Sequence, residues 1–371
     1  MKIAVIGIRG LPANYGGFET CAENISKEWS KNGHDVLIYC RKNHYKEHIA
    51  EYNGCRLKYI SSINTKSLGT LSHTFFCILN LIFKEPDIKI IHLYNAGNAL
   101  FIPLLKLFGK KVVISVDGIE WKRKKWGTLA KMIHKTGEKF AIRFADKVVV
   151  DNKAVENYYK NKHDADTFFI PYGAKIIDTV NTINTINTES VLNKFSLTTK
   201  DYFIFIGRLV PEKGVHTLIG VYNTLKTDIP LVIIGDDNNT SDYKHNLIKQ
   251  KSDKVLFLGY LYGEEYESLL KNALIYVTAS ELEGTSPSLL AAMGAKVCTL
   301  VNGIEENLHT IEDSGCYYKE NNLSDFSKVW LNLINNRDLI DEFAEKGYNR
   351  VLSVYKWEII AEMYIDLFQY L

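Results

Sequence analysis

Arg208 and Lys213 sit in a short run, Gly207-Arg208-Leu-Val-Pro-Glu212-Lys213-Gly214, that follows an apolar stretch and leads into a helical period. Two fixed cations on a strand-to-helix loop can clamp a diphosphate, and glycines beside them let the backbone come close to it. The bland competitor, two solvated surface charges, is less attractive because glycines flank the pair. Further along comes Ser280-Glu281-Leu-Glu283-Gly284-Thr285-Ser286-Pro287. Thr285 or Ser286 fits a helix N-cap with Pro287 at the first helical position, which leaves free N–H groups aimed at an anion. An ordinary capped helix explains those residues but not Glu281 and Glu283 ahead of them. At a strand's end, such carboxylates can hold a sugar hydroxyl or stabilise positive charge. Near the start, Gly7-Ile-Arg9-Gly10-Leu-Pro12-Ala-Asn-Tyr15-Gly16-Gly17-Phe18-Glu19 is a glycine-rich loop opening a helix, again suited to backbone contact with an anion. Glycines serving only a long turn are the alternative there.

These loops need strands and helices to carry them, and the rest of the chain supplies the pattern. Apolar β-branched runs alternate with helical periods, which predicts an α/β chain with parallel sheets. Strands are expected at 2–8, 36–39, 57–60, 88–93, 111–116, 147–150 and 168–171, with helices at 19–32, 71–83, 98–108 and 127–144. Gly33 is the expected left-handed stop of the first helix. The polar, Asn-Thr-Ile-rich segment 178–189 reads as a connector or loose loop. Alternation then resumes: strands at 202–206, 231–234, 255–258, 273–278 and 297–301, helices at 214–225, 242–250, 264–272 and 287–293. The expectation is two Rossmann-like, doubly wound domains facing a cleft, residues 1–172 and 173–354. In such sheets ligands bind beyond the carboxyl ends of the strands. The amphipathic end, about 355–371, is expected to pack back on the first domain.

Composition bounds the rest. At 371 residues, 46% hydrophobic and 24% charged, the chain suits two soluble globular domains and excludes a disordered one. Its six cysteines form no C-x-x-C pair, which argues against zinc sites and a disulfide framework and for a reducing compartment. No apolar stretch approaches the roughly 20 residues that cross a bilayer. The net charge of +2 conceals a split: residues 1–172 hold 27 Lys/Arg against 16 Asp/Glu, and the remainder 18 against 27. The basic half is expected to face something anionic. A nicotinamide-binding fingerprint fits poorly, since Gly7 and Gly10 lack its spacing and Cys40-Arg41 stands where it needs an acid. His34, His44, His92 and His134 show no ligand spacing and read as surface or packing residues.

In combination, G-G-x-E near the start, G-R-x-x-P-E-K-G and E-G-T-S-P-S-L-L-x-A-M resemble the retaining GT-B glycosyltransferases of glycosyltransferase family 4. The likeness covers nearly the whole chain. The opening G-I-R-G-L-P-A-N-Y-G-G-F-E-T and the segment Asp117-Gly118-Ile-Glu-Trp121-Lys-Arg123-Lys-Lys-Trp126 look like a subgroup of bacterial polysaccharide enzymes that includes rhamnosyltransferases. The resemblance implies a hexosyltransferase that moves a sugar from a nucleotide-diphosphate donor to a glycan acceptor, with retention, without a metal and without a cofactor. It implies that Arg208 and Lys213 neutralise the departing diphosphate, which is electrostatic catalysis. Gly207, Thr285, Ser286 and the helix behind them would complete the diphosphate pocket. Gly16 and Gly17 would approach donor phosphates or acceptor, and Glu19 would position their loop. Glu283 would stand near the donor sugar as the first acid of an E-x7-E pair. Asp117, at a strand's end, would bind a sugar hydroxyl or the acceptor.

One departure matters. The second acid of that pair is thought to hold the ribose, and here it is Ala291. The loss would weaken donor binding by about 1–3 kcal/mol, as for hydrogen bonds to charged groups. Weaker binding, ribose contacts from another residue such as Glu281, and an impaired, binding-only homologue all stay open. The dense Trp121–Trp126 stretch, Trp121 and Arg123 included, reads either as an acceptor or membrane-surface contact or as a solvated helix start with packed tryptophans. A cytoplasmic enzyme touching the inner membrane face, with a lipid-linked acceptor, gives the basic domain a cause. No nucleic-acid module is present. A sugar-nucleotide epimerase of related fold is the competing activity.

Overall fold

The computed structural model describes residues 1–13, 16–63, 69–116, 119, 121, 127–177, 185–237 and 241–371, with backbone only at 185–187 and 241. The chain divides into two compact units, Met1–Tyr172 together with Trp357–Leu371, and Gly173–Lys356.

The first unit is built on strands β1 (Lys2–Ile6), β2 (Asp35–Arg41), β3 (Glu51–Tyr52), β4 (Cys55–Ile60), β5 (Ile90–Tyr94), β6 (Lys111–Val116), β7 (Lys147–Val150) and β8 (Phe168–Phe169). Their order is β3-β4-β2-β1-β5-β6-β7-β8, and every pairing is parallel except the β3–β4 hairpin. Helices α1 (Gly17–Lys31), α2 (Gly69–Lys84), α3 (Ile102–Leu107), α4 (Thr128–Phe144) and α5 (Lys153–His163) connect them. The central strands are apolar at nearly every position because helices cover both faces, as parallel sheets require.

The second unit repeats the plan in Rossmann order. Its strands are β9 (Phe203–Ile206), β10 (Leu231–Ile234), β11 (Val255–Gly259), β12 (Ile275–Val277), β13 (Cys298–Asn302) and β14 (Cys316–Tyr318), arranged β11-β10-β9-β12-β13-β14 and all parallel. Its helices are α6 (Thr185–Lys194), α7 (Val215–Thr224), α8 (Ser241–Gln250), α9 (Gly263–Lys271), α10 (Pro287–Gly294), α11 (Glu305–Ile311), α12 (Leu323–Ile334) and α13 (Arg337–Arg350). In each sheet the order reverses beside the first strand, between β1 and β5 and between β9 and β12, and ligands of such sheets bind at that switch point.

Several expectations change in detail. β1 stops at Ile6, because Gly7 turns the chain at φ 100°, where an added Cβ would lie 2.5 Å from the Tyr94 carbonyl oxygen. The single helix expected at 98–108 is a 3-10 turn, Ala96–Phe101, followed by α3 with Pro103 in its first turn. α6 begins inside the supposed connector, whose residues 178–184 lie outside the described ones. Gly33 does stop α1, with φ 80°.

The last helix, α14 (Trp357–Gln369), belongs to the first unit. Trp29 on α1 is fully buried and donates its indole N–H to the Ala361 carbonyl at 2.9 Å, with its ring 5.3 Å from Phe368. Tyr364 reaches the Ser115 hydroxyl at 3.0 Å, and Ser115 pairs with His92 Nε2 at 2.7 Å. Burial drives the His92 imidazole down to about 3, and burial with the nearby Arg41 charge drives His73 down to about 4. Both are therefore neutral when folded and take up a proton on unfolding at acid pH. Their stabilisation is complete above pH ~6.5 and is lost as pH falls toward the folded values, by about 1.4 kcal/mol per pH unit per histidine. The first unit's urea midpoint should accordingly drop between pH 6.5 and 4.5, and a His73→Leu/His92→Phe variant should flatten that slope; an unchanged slope contradicts the assignment.

Candidate active site

The Gly207–Gly214 loop leaves β9 at the second switch point. Gly207 donates to the Ile234 carbonyl, and Gly235 on the neighbouring loop has φ 136° with no room for a Cβ, which would lie 1.9 Å from the Gly207 oxygen. Glycine is thus required where the two loops touch. Arg208 emerges beside them, exposed, and makes no ion pair with another described residue. It lines a cavity of about 370 Å³ together with Gly207, Gly235, Tyr260, Tyr262 and Tyr266. The Tyr260 and Tyr262 rings stack 6.2 Å apart at 21°, and Tyr260 donates to the Asp236 carbonyl at 2.5 Å.

Lys213 points elsewhere. It ends the 3-10 turn Pro211–Lys213 and forms an ion pair with Glu283, whose side chain is only 8% exposed. The loop carrying Glu283 is hooked to the Lys213 loop by the backbone as well, through Glu281 N–H to the Glu212 carbonyl at 3.0 Å. The two sequence motifs therefore meet: the cation of one is held by the acid of the other. Glu281 itself is exposed.

Ser286 is the N-cap residue of α10 and Pro287 its first residue, but the Ser286 hydroxyl makes no capping bond and pairs instead with Ser288 at 3.3 Å. Thr285 and Ser286 are both buried. The N–H groups of this first turn, and the dipole behind them, favour an anion there. Ala291 is half-buried on the same helix.

Two groups near this loop carry no mark in the sequence reading. Asn302, fully buried at the end of β13, donates to the Ser280 carbonyl at 3.1 Å and fixes the loop from beneath. Glu306 is the second residue of α11; burial raises its pKa, its own N–H lowers it, and the Glu305, Glu283 and Glu320 charges raise it further. Its signal was the Gly303-Ile-Glu-Glu run at a strand's end. The Tyr260 pocket was signalled by Gly259-Tyr-Leu-Tyr-Gly263 at the end of β11. A second cavity, about 590 Å³, is larger, yet it lies at the amino ends of β9, β12 and β13, beside Lys200, Leu274 and Cys298. That is the end away from the glycine loops and from where parallel sheets bind ligands.

In the first unit, Gly16 caps α1 at φ 85°, and Gly17 abuts Tyr172, whose ring would stand 3.0 Å from an added Cβ. Glu19 is buried and accepts the Arg9 N–H at 2.9 Å, so it ties the loop's beginning to the helix. Burial raises its pKa, while the N–H bonds and the Arg9 and Arg41 charges pull it back. Arg41 donates to the Thr70 hydroxyl at 2.8 Å; its pKa is lowered by burial and by Arg9. His44 is lowered by burial and then by the same two arginines. Cationic density thus gathers beyond the ends of β1 and β2, where Cys40-Arg41 stands in the sequence. Asp117 and Arg123 lie outside the described residues. Trp121 is half-buried: it donates to the Tyr158 hydroxyl at 3.2 Å, and Lys135 and Lys162 lie 4.4 and 4.7 Å from its ring centre. These contacts seat its ring within the unit and leave part of it exposed. Among the described residues no three His, Cys, Asp or Glu side chains converge as a metal site.

Residues 188–350 match the family model described as glycosyl transferases group 1, and residues 1–175 match a domain of unknown function, DUF1972. The chain is 25% identical to an uncharacterized glycosyltransferase of Methanocaldococcus jannaschii, over 95% of both chains. Its fold is similar to the sucrose-phosphate synthase of Thermosynechococcus elongatus, with TM-score 0.81 and 16% identity over 99% of this chain and 98% of that one. It is equally similar to HepE of Anabaena in complex with UDP and glucose, with TM-score 0.81 and 15% identity over the whole of both chains. The architecture, two Rossmann-like units in tandem, is that of GT-B glycosyltransferases.

Proposed function

We infer that this chain, a glycosyltransferase of GT-B fold, takes a sugar from a nucleoside diphosphate donor held by its second unit and passes it to a lipid-linked glycan acceptor during synthesis of a bacterial surface polysaccharide. One observation carries the reading: the Arg208 loop, the Lys213–Glu283 pair and the tyrosine-lined cavity stand together at the carboxyl ends of β9, β10 and β12. The cavity takes the base and ribose, with the stacked Tyr260 and Tyr262 rings as its wall. The complex of HepE with UDP supports a uridine nucleotide.

The diphosphate then lies against Arg208, Lys213 and the first turn of α10. An arriving phosphate competes with Glu283 for the Lys213 ammonium. Once released, Glu283 is free to accept from a hydroxyl of the donor sugar, so donor binding exchanges one ion pair for two useful contacts. As the bond between sugar and phosphate breaks, negative charge grows on the leaving oxygen, where these fixed donors stabilise it without reorganising. The side chains supply that positive charge themselves, so the reading calls for no metal. Transfer with retention, and rhamnose as the sugar, are the finer assignments that the sequence resemblance favours. The first unit, with 27 Lys/Arg against 19 Asp/Glu once α14 is included, suits an acceptor that carries phosphate.

Incubation with a panel of nucleotide sugars and an undecaprenyl-diphosphate-linked acceptor should release a nucleoside diphosphate with at least one donor. Silence across the panel, together with no nucleotide binding by calorimetry, refutes the reading. Binding without release favours the binding-only homologue, in which case Ala291→Glu should tighten the nucleotide about tenfold.

A further inference from the structure

We propose that the outer face of α2, α3 and α4 is a membrane-docking surface that seats the first unit on a bilayer containing anionic lipid. Exposed large apolar side chains crowd into this one stretch of the chain: Phe75, Phe76 and Phe83 on α2, Leu107 and Phe108 at the end of α3, and Leu129, Met132 and Phe144 on α4. Leu107 is 82% exposed, Phe83 68% and Leu129 65%, which is far beyond what packing against the sheet explains. The rings join across elements, with Phe75 5.8 Å from Phe101 and Phe83 6.4 Å from Phe108. α3 in turn packs on α4, so the three form one continuous surface. α2 buries His73, Cys77, Ile78, Leu81 and Ile82 on its inner side, so it is apolar on both faces. A helix of that kind needs a second apolar environment.

The charges choose the occupant. Lys84, Lys106, Lys131, Lys135, Lys139 and Arg143 lie on these helices, and their one acid, Glu138, is buried. In sequence, four more cations, Lys122 to Lys125, lead directly into α4. Lys106 is held by Asp146 just after α4, and Asp87 beyond α2 lies near Lys2. A second copy of this chain docking through the same face would still set the other cations against their own images with no exposed acid on these helices to answer them, which disfavours a dimer. Apolar side chains bordered by Lys and Arg are instead the pattern that enters the boundary between headgroups and acyl chains. No helix among the described residues is long and apolar enough to cross a membrane, so the contact is superficial. The proposal rests on the lipid-linked acceptor for its purpose: docking brings the enzyme to the plane where that acceptor lies.

Flotation of the full chain with phosphatidylcholine vesicles, with and without phosphatidylglycerol, tests it. The protein should float with the anionic vesicles at low salt, leave them as salt rises, and ignore the neutral ones. The variant Phe83→Asp/Leu107→Asp/Leu129→Asp changes only exposed positions and should lower vesicle binding at least tenfold. Its UDP binding by calorimetry should equal that of the parent chain, which keeps a failure of docking distinct from a failure of the donor reading. Absence of binding to anionic vesicles, equal binding to neutral ones, an unaffected variant, or a dimer dispersed by the same three substitutions would each overturn the proposal.

Discussion

Replacing Arg208 and Lys213 together with alanine is expected to slow nucleoside diphosphate release by about 10⁴-fold. Removing one preorganised donor to a developing oxyanion costs about 10²–10³ in rate, and two that act as a unit lose less than the product. The single variants differ in kind. Arg208 is exposed without an ion partner among the described residues, so Arg208→Ala should leave stability within about 0.5 kcal/mol and report on turnover alone. Lys213→Ala strands the nearly buried Glu283 carboxylate, and breaking such a pair costs about 3–5 kcal/mol. The cleaner comparison is therefore Lys213→Ala/Glu283→Gln, which removes the orphaned charge. Glu283→Gln alone frees the lysine: it should tighten UDP while slowing transfer, because the ammonium no longer has to leave a carboxylate. Urea unfolding, calorimetry and release kinetics on these variants separate the effects. Intact turnover in the Arg208→Ala/Lys213→Ala protein would sink the account.

The sequence was informative where backbone chemistry leaves residues of a special kind. Glycine, proline and charge at the end of an apolar run marked the Gly207 and Glu283 loops, and both stand at strand ends. The alternation of periods carried the two parallel sheets, and the amphipathic end of the chain carried α14. What pairs with what was not legible. Their residue types point Lys213 and Glu283 each toward a substrate, yet in the fold they pair with each other, since complementary charges on separate loops show no common spacing. Trp29 and Ala361 meet across most of the chain for the same reason. Tyr260 and Tyr262 stand between Gly259 and Gly263, and those glycines are the one mark of their pocket, because two aromatics in a loop have no period to betray it. Residues 305–350 passed without assignment: β14 has three residues, and α13 is largely polar.

Gly214→Ala should destabilise the second unit by about 2–5 kcal/mol and abolish measurable nucleotide binding. Gly214 is the N-cap of α7 at φ 63°, a left-handed conformation that costs an L-residue roughly 1–2 kcal/mol. A methyl group there would also lie 2.0 Å from the Ala279 carbonyl oxygen, so the backbone after β12 must move, at a further cost of about 1–3 kcal/mol. That backbone leads into Glu281, whose N–H holds the Glu212 carbonyl, and into Glu283, which holds Lys213. One methyl group thus pries apart the two loops that build the phosphate site. Gly220 supplies the control. It lies in the interior of the same helix with nothing within 4 Å of an added Cβ, so Gly220→Ala should gain about 1 kcal/mol from helix propensity and leave UDP binding untouched. Thermal unfolding and calorimetry on the pair decide the matter. If Gly214→Ala melts with the parent chain and binds UDP as tightly, the two loops are not locked together at this residue, and the phosphate site does not depend on their contact.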